Sequence, residues 1–403
     1  MSWRSHVLVV AGFALAGCPA DGDGDGDGEG DSAADSGSTT APVCDTDDCE
    51  PTGGDTEGPP QAATYMCPNA LAYGDQLLAA TSQAIDVGDD DGGIRGVVLR
   101  LDPQTDARQE VIVGEPDTDF RTLAVAADGG LVIGGAVVGF AASGPLLQKY
   151  GADGALQWTA PLTHVPVLDL ALRGDEVLFV DGFGDNSLLV ASVADGALMQ
   201  EIGGEGQTTQ IEVAADGAIV VAGHDNAELE VSSTFVRRFD AQMQLSWEQE
   251  VPATAAGSTV LVDGLALDED GGAIVAVREY DSADGLTLVW ELRKYDAEGN
   301  PQWTVDVDTP IEGGAPGGSI HQLLGRPGGG VLAVGRIIIG QGAAFTFAFD
   351  SAGAPLWSDV HSDDSLAGVQ NTALVITPSA IVVSGCGVDE DSATEIWLTQ
   401  LQP

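Results

Sequence analysis

A ten-residue unit that returns about every fifty residues constrains this chain more than any other feature. Its clearest copy is Lys294 to Trp303, Lys-Tyr-Asp-Ala-Glu-Gly-Asn-Pro-Gln-Trp, and it recurs as Lys149-Tyr150-Gly151-Ala152-Asp153-Gly154 running on to Trp158. In both copies an apolar run reaches an aromatic residue, turns through Asp and Gly, and restarts as a strand with Trp four residues after the Gly. That pattern predicts a β-hairpin. Equivalents of the aromatic position fall at Leu101, Tyr150, Val193, Phe239, Tyr295, Phe349 and Leu401, 43 to 56 residues apart. Each is preceded by a second hairpin, with its corner at Gly74-Asp75, Asp128-Gly129-Gly130, Gly174-Asp175, Asp216-Gly217, Asp270-Gly271-Gly272, Pro327-Gly328-Gly329 or Pro378-Ser379.

Two hairpins make four short strands per period. Such a unit cannot bury both sheet faces alone but can when stacked radially on its neighbours, so the pattern predicts an all-β, seven-bladed β-propeller of four-stranded antiparallel blades over residues 61–403. A β-helix needs shorter coils, and an immunoglobulin-like array needs linkers between units. The last unit ends with its third strand, Ile396 to Leu401. The extended stretch Ala62 to Met66 is expected to supply the missing outer strand and join the ends of the ring. Cys67 lies beside that stretch and Cys386 in the last blade. With four cysteines (Cys44, Cys49, Cys67, Cys386) three pairings are open, and closure favours Cys67 with Cys386, leaving Cys44 and Cys49 to close a small loop.

The hairpins Gly154 to Trp158, Gly299 to Trp303 and Gly353 to Trp357 resemble the tryptophan-docking repeat of the pyrroloquinoline-quinone-like propellers. Phe239-Asp240 with Trp247 is a fourth copy, with Met243 in place of the Gly, and the units at Leu101 and Val193 lack the Trp. The resemblance implies a structural role for Trp158, Trp247, Trp303 and Trp357, packed between blades. It extends to the lipid-anchored propeller scaffold of outer-membrane assembly. A quinone enzyme of the family would need a vicinal cysteine pair, and the sequence has none.

Ahead of the repeats, Arg4 precedes the apolar run Val7 to Ala16, short for a membrane span and fitting a secretory signal over residues 1–17. Leu15-Ala16-Gly17-Cys18 resembles the lipobox of bacterial lipoproteins, which implies cleavage before Cys18 and lipidation of its sulfur and new amino group. Pro19, where Asp would retain a lipoprotein at the inner membrane, directs the expectation to the outer membrane. Residues 18–60 then read as an acidic, Gly-, Ser- and Pro-rich disordered tether.

Formal net charge is −49. Thirteen of the 63 acidic residues lie in the tether, leaving 50 against 13 basic residues in the repeats. Nucleic acid and anionic lipid headgroups are therefore excluded as partners of the repeat domain. The histidines (His6, His164, His224, His321, His361) have no metal-ligand spacing, and no nucleophile elbow, P-loop or dinucleotide fingerprint occurs. His224-Asp225 reads as a solvated loop pair. Acidic clusters at Asp89 to Asp91, Asp268 to Asp270, Asp363-Asp364 and Asp389 to Asp391 read as charged turns, with structural calcium the alternative if several converge on one face.

These readings lead to one expectation: a monomeric, lipid-anchored propeller of the cell envelope, binding or scaffolding an envelope protein or polymer, without catalysis or cofactor. The alternatives are a hydrolase or lyase of envelope polymer, or calcium-dependent glycan binding, using acidic loops at the propeller mouth.

Overall fold

The computed structural model describes residues 65–401, apart from 86–92, 106, 139–143, 163–165, 182–187, 204–205, 226–232, 256, 282–286, 308–316, 338–341, 364 and 390–393. Cys18, Cys44 and Cys49 lie outside the described residues, as do the proposed signal and tether.

Blade 1 is β1 (Ala70–Tyr73), β2 (Leu77–Ile85), β3 (Gly93–Asp102) and β4 (Ala107–Pro116). Blade 2 is β5 (Thr118–Val125), β6 (Leu131–Val137), β7 (Gly144–Tyr150) and β8 (Leu156–Thr159). Blade 3 is β9 (Val167–Arg173), β10 (Glu176–Asp181), β11 (Leu188–Ser192) and β12 (Leu198–Ile202). Blade 4 is β13 (Gln207–Val213), β14 (Ile219–His224), β15 (Ser233–Phe239) and β16 (Leu245–Pro252). Blade 5 is β17 (Ser258–Leu267), β18 (Ala273–Asp281), β19 (Thr287–Tyr295) and β20 (Pro301–Asp306). Blade 6 is β21 (Gly318–Gly325), β22 (Val331–Ile337), β23 (Ala343–Phe349) and β24 (Pro355–His361). Blade 7 is β25 (Ala367–Ile376), β26 (Ile381–Val388) and β27 (Thr394–Leu401). Every blade is an antiparallel meander, and the first strand of each packs on the first strand of the next, with β25 returning to β1. This is a seven-bladed β-propeller. The sequence markers end the third strands, except that Leu101 is the last residue but one of β3 and Val193 directly follows β11, and the seven predicted corners join first strands to second.

Burial explains the strand composition. Middle strands are covered on both faces by neighbouring blades, so β14 and β22 are almost wholly buried and read as continuous aliphatic runs. Fourth strands sit at the rim, and β16, β20 and β24 are mostly exposed, with Trp turned partly inward. Antiparallel order puts both tight turns of a blade, the inner turn (strands one to two) and the outer turn (three to four), at one end. The longer connections leave from the other.

The outer turn is held by the Asp that follows the aromatic marker. Asp296 Oδ1 accepts the Asn300 N–H at 2.8 Å and the Glu298 N–H at 3.1 Å, and Asp350 accepts the Ala354 and Ala352 N–H groups at 2.8 and 2.9 Å.

One expectation is corrected. Tyr65 and Met66 do not run beside β27. Tyr65 bridges Gln83 and the Met66 N–H donates to the Ser82 carbonyl at 2.7 Å, so they extend β1 along β2. Blade 7 accordingly has three strands among the described residues. The physical reason is register: Gln83 of β2 stands where Val137 of β6 stands in blade 2, and Val137 pairs with Thr118, the first residue of a first strand. Tyr65 fills that place in blade 1.

Candidate functional site

The junctions between blades are the most heavily built sites in the molecule. On the outer strand of blade 2 the Trp158 indole N–H donates to the Val193 carbonyl of blade 3 at 2.9 Å. Trp247 of blade 4 donates to Ala297 of blade 5 at 2.8 Å, and Trp303 of blade 5 to Ser351 of blade 6 at 2.9 Å. In each case the ring lies on the outer turn of the next blade, over a Gly. A Cβ on Gly299 would stand 2.8 Å from the Trp247 ring, and one on Gly196 2.6 Å from Trp158. Those glycines also have φ of +85° and +70°, so two independent constraints select the same residue. Blade 3 lacks the Trp, and the turn facing it carries Met243 at φ +63°. With no ring above, a side chain fits there. Trp357 packs against the cluster containing Leu332, Leu374 and Ile381 at the 6/7 junction.

The scarce cations reinforce these joints. Arg238 Nη2 pairs with Asp216 at 3.0 Å within blade 4 while its Nη1 donates to the Gly271 carbonyl of blade 5. Lys294 pairs with Asp268 at 2.8 Å and reaches the Gly329 carbonyl of blade 6 at 3.2 Å. Arg173 of blade 3 donates to Gly217 and Ala241 of blade 4. Arg238 and Lys294, each beside its aromatic marker, are therefore joints between turns, a role that their spacing does not announce.

At the 7/1 junction the join is covalent. Cys67 and Cys386 form a disulfide across a sequence separation of 319, with Cα atoms 5.4 Å apart, and the Gln370 side-chain amide lies 3.6 Å from both sulfurs.

Toward the axis, polar side chains on first strands lace one blade to the next. Asp169 of blade 3 accepts the Ile211 N–H of blade 4 at 2.9 Å. Gln322 of blade 6 accepts the Leu374 N–H of blade 7 at 2.7 Å and donates back to its carbonyl at 3.1 Å. Asp263 holds Arg278 in a two-point ion pair, at 2.9 and 3.1 Å. His321, buried, bonds Ser319 through Nε2 and the Asn371 carbonyl through Nδ1, and burial lowers its pKa to about 4, so it is a neutral strut. Glu212 is buried with one carboxyl oxygen unbonded; burial, and then the nearby Asp169 charge, push its pKa well up. Sequence reasoning singled out none of Asp169, Glu212 or Asp263. For Asp169 and Asp263 the available signal was an acid inside a largely apolar first strand, whereas the polar strand β13 gave none for Glu212.

His224 is corrected: it closes β14, is half-buried, and its Nε2 meets Gln207 Oε1 at 2.9 Å, with burial lowering its pKa. Asp225 uses its own N–H on the Ser233 carbonyl. The acidic clusters do not all share a face. Asp268 belongs to an inner turn, where Oδ1 accepts the Asp270 and Gly272 N–H groups, whereas Asp363 and Asp389 follow β24 and β26 at the opposite end. Asp89 to Asp91 lie outside the described residues. Among the described residues no three His, Cys, Asp or Glu side chains come together to hold a metal ion.

No protein-family model and no curated protein sequence matches the chain. Solved structures match it in fold. A chain of the mitotic checkpoint complex is 12% identical with a TM-score of 0.51, covering 79% of this chain and 86% of that one. The C-terminal WD40 domain of Sif2 is 13% identical with a TM-score of 0.48, covering 81% and 83%. The computationally designed Ika8 protein is 14% identical with a TM-score of 0.46, covering 84% and 96%. At these identities the likeness is one of fold.

Proposed function

We propose that this chain is a non-catalytic binding or scaffolding propeller, of the tryptophan-docking repeat type, held at the cell envelope by lipid on Cys18. The observation that carries the binding reading is how the ionisable side chains are used. Asp169, Asp263 and His321 are engaged in bonds to the next blade, Arg278 is held by Asp263 within blade 5, and the connections of one to eleven residues that join one blade to the next emerge together at the opposite end from the tight turns. A rigid ring presenting a rim of loops suits recognition. The matched chain of the mitotic checkpoint complex is itself part of a protein assembly. An envelope partner and an outer-membrane address rest on the lipobox and on Pro19.

Two measurements test this. Cys18→Ser should move the protein from the membrane to the soluble fraction, and persistent firm attachment would overturn the anchor. The full chain, used as bait in envelope extract with calcium and with chelator, should retain a specific protein or polymer in both conditions. Calcium-dependent capture of glycan alone would favour the acidic-loop alternative, and turnover of envelope polymer would end the non-catalytic reading.

A further inference from the structure

Blades 2, 4 and 5 each complete their sheet with a fourth strand whose Trp crosses to the next blade. Blade 7 has no fourth strand among the described residues, yet the acceptor carbonyl of that joint is present in blade 1, on a turn with Thr105 in place of the Gly. Counting from the aromatic marker, Pro103 of the blade 1 outer turn stands where Ala297 and Ser351 stand, the two carbonyls that accept Trp247 and Trp303. At the 7/1 junction the Pro103 carbonyl takes the Gln400 side-chain amide instead, at 2.6 Å. Gln400 occupies the β27 position that in blades 2, 4 and 5 lies opposite the Trp (Lys149, Arg238, Lys294). Beside it is a cavity of about 300 Å³, with Leu77, Leu101, Pro103, Val382 and Gln400 among its walls. A cavity of about 150 Å³ takes a benzene ring, so an indole fits.

Among the described residues no strand pairs with the outer edge of β27. Ile396 turns its carbonyl away from β26, where it meets the Arg108 guanidinium at 2.6 Å. Alternation along an antiparallel strand then puts the N–H groups of Ile396, Leu398 and Gln400 on the same free edge. In blade 5 the carbonyl equivalent to that of Ile396, on Trp290, accepts the Val307 N–H of the returning chain. Ile396, Trp397 and Leu398 are only partly buried, whereas every residue of β23 is buried.

We propose that the 7/1 junction is a groove for an extended segment of a partner protein of the form Trp-x-x-acidic, which pairs with β27 as a fourth strand and lodges its indole against Pro103. The chain's own residues 19–64 contain no aromatic side chain to fill the slot. The acid is placed by charge: Asp306 lies three residues after Trp303, and the same position on a strand at β27 falls beside Arg108, which would exchange the Ile396 carbonyl for the carboxylate. Strand addition of this kind draws affinity from the main chain and specificity from the pocket. This rests on reading the ring as a binding module, and it assigns one site of that module.

The test is fluorescence anisotropy of a dye-labelled peptide copying residues 299–307 (Gly-Asn-Pro-Gln-Trp-Thr-Val-Asp-Val), titrated with the full chain. Saturable binding is expected, weakened at least tenfold when the peptide Trp becomes Ala. Gln400→Pro, which removes an edge N–H at the rim and leaves the ladder to β26 intact, should weaken it similarly, whereas Gln400→Ala, which loses only the side-chain bond to Pro103 and keeps the edge N–H, controls for that bond and should retain saturable binding. Arg108→Glu should weaken the native peptide and restore binding to a peptide carrying Lys in place of its Asp. No saturable binding, or binding indifferent to the Trp, overturns the groove. Such a failure leaves partner capture by the loop end standing, because the extract experiment reads that separately.

Discussion

The 4/5 and 7/1 junctions solve one problem with different chemistry. At 4/5, Trp247 lies over Gly299 and bonds Ala297, and Arg238 bridges to Gly271, so the joint is non-covalent, local and repeated with variations at 2/3 and 5/6. At 7/1 a disulfide ties the ends of the ring, while at the rim Gln400 of the third strand takes the turn carbonyl that a Trp takes elsewhere, beside a cavity. Neighbouring blades in sequence are held together by short connections as well as packing. The first and last blades have no such connection, so their joint must offset the entropy of closing a loop that spans the domain. A covalent bond does this through the unfolded chain, whereas a Trp contact can act only on the folded one.

The contrast can be broken most strongly at the disulfide. Cys386→Ser, or reduction, should cost about 2–5 kcal/mol of unfolding free energy, measured by denaturant titration, with blades 1 and 7 losing amide protection before blade 5. Equal loss around the ring would make the closure no weaker than the other joints. Trp247→Ala comes next, at about 2–4 kcal/mol, less than for a fully buried Trp because the ring is only partly covered.

Gly299→Ala should cost about 2–3 kcal/mol, combining a positive φ with a collision against the Trp247 ring. In a Trp247→Ala background the same change should fall to about 1 kcal/mol, the backbone part alone, and a double-mutant cycle reads the difference. Gly174→Ala, at φ +62° with open space around it, should also cost only about 1 kcal/mol. Met243→Gly, at the joint that never had a Trp, should lie within about 0.5 kcal/mol of zero, because relief of φ strain offsets lost packing.

The 3/4 junction adds a pH test. Glu212 titrates above its ordinary 4.5 in the folded protein, so its neutral form is the one the fold accepts. Its contribution is fully present below the ordinary value and is lost as pH rises through the raised folded value. Thermal unfolding of wild type should therefore fall more steeply over that window than that of Glu212→Gln. Parallel profiles would show that Glu212 is not held neutral.

Much of the ring was legible in the sequence because hairpins are local. Asp-Gly corners, aromatic markers and continuous aliphatic middle strands each report a structure made within a few residues, and their spacing alone fixes the blade count. The Gly-to-Trp interval within one hairpin was readable too. Its purpose was not, since Trp247 belongs with Gly299, fifty-two residues onward, and not with its own turn. Likewise nothing local says that Lys294 serves the turn at Gly329, or that Glu212 is buried beside Asp169.

The expected outer strand at Ala62 to Met66 marks the boundary between the two kinds of information. The sequence of this chain determined that seven hairpin pairs must stack in a ring and that Cys67 and Cys386 belong near its seam. Only the tertiary structure decided which edge the entering chain would take. A short extended segment has no preference of its own between two open edges. Tyr65 and Met66 went to β2 because continuing β1 satisfies their backbone groups in register with strands already paired, and no other described strand pairs with the outer edge of β27.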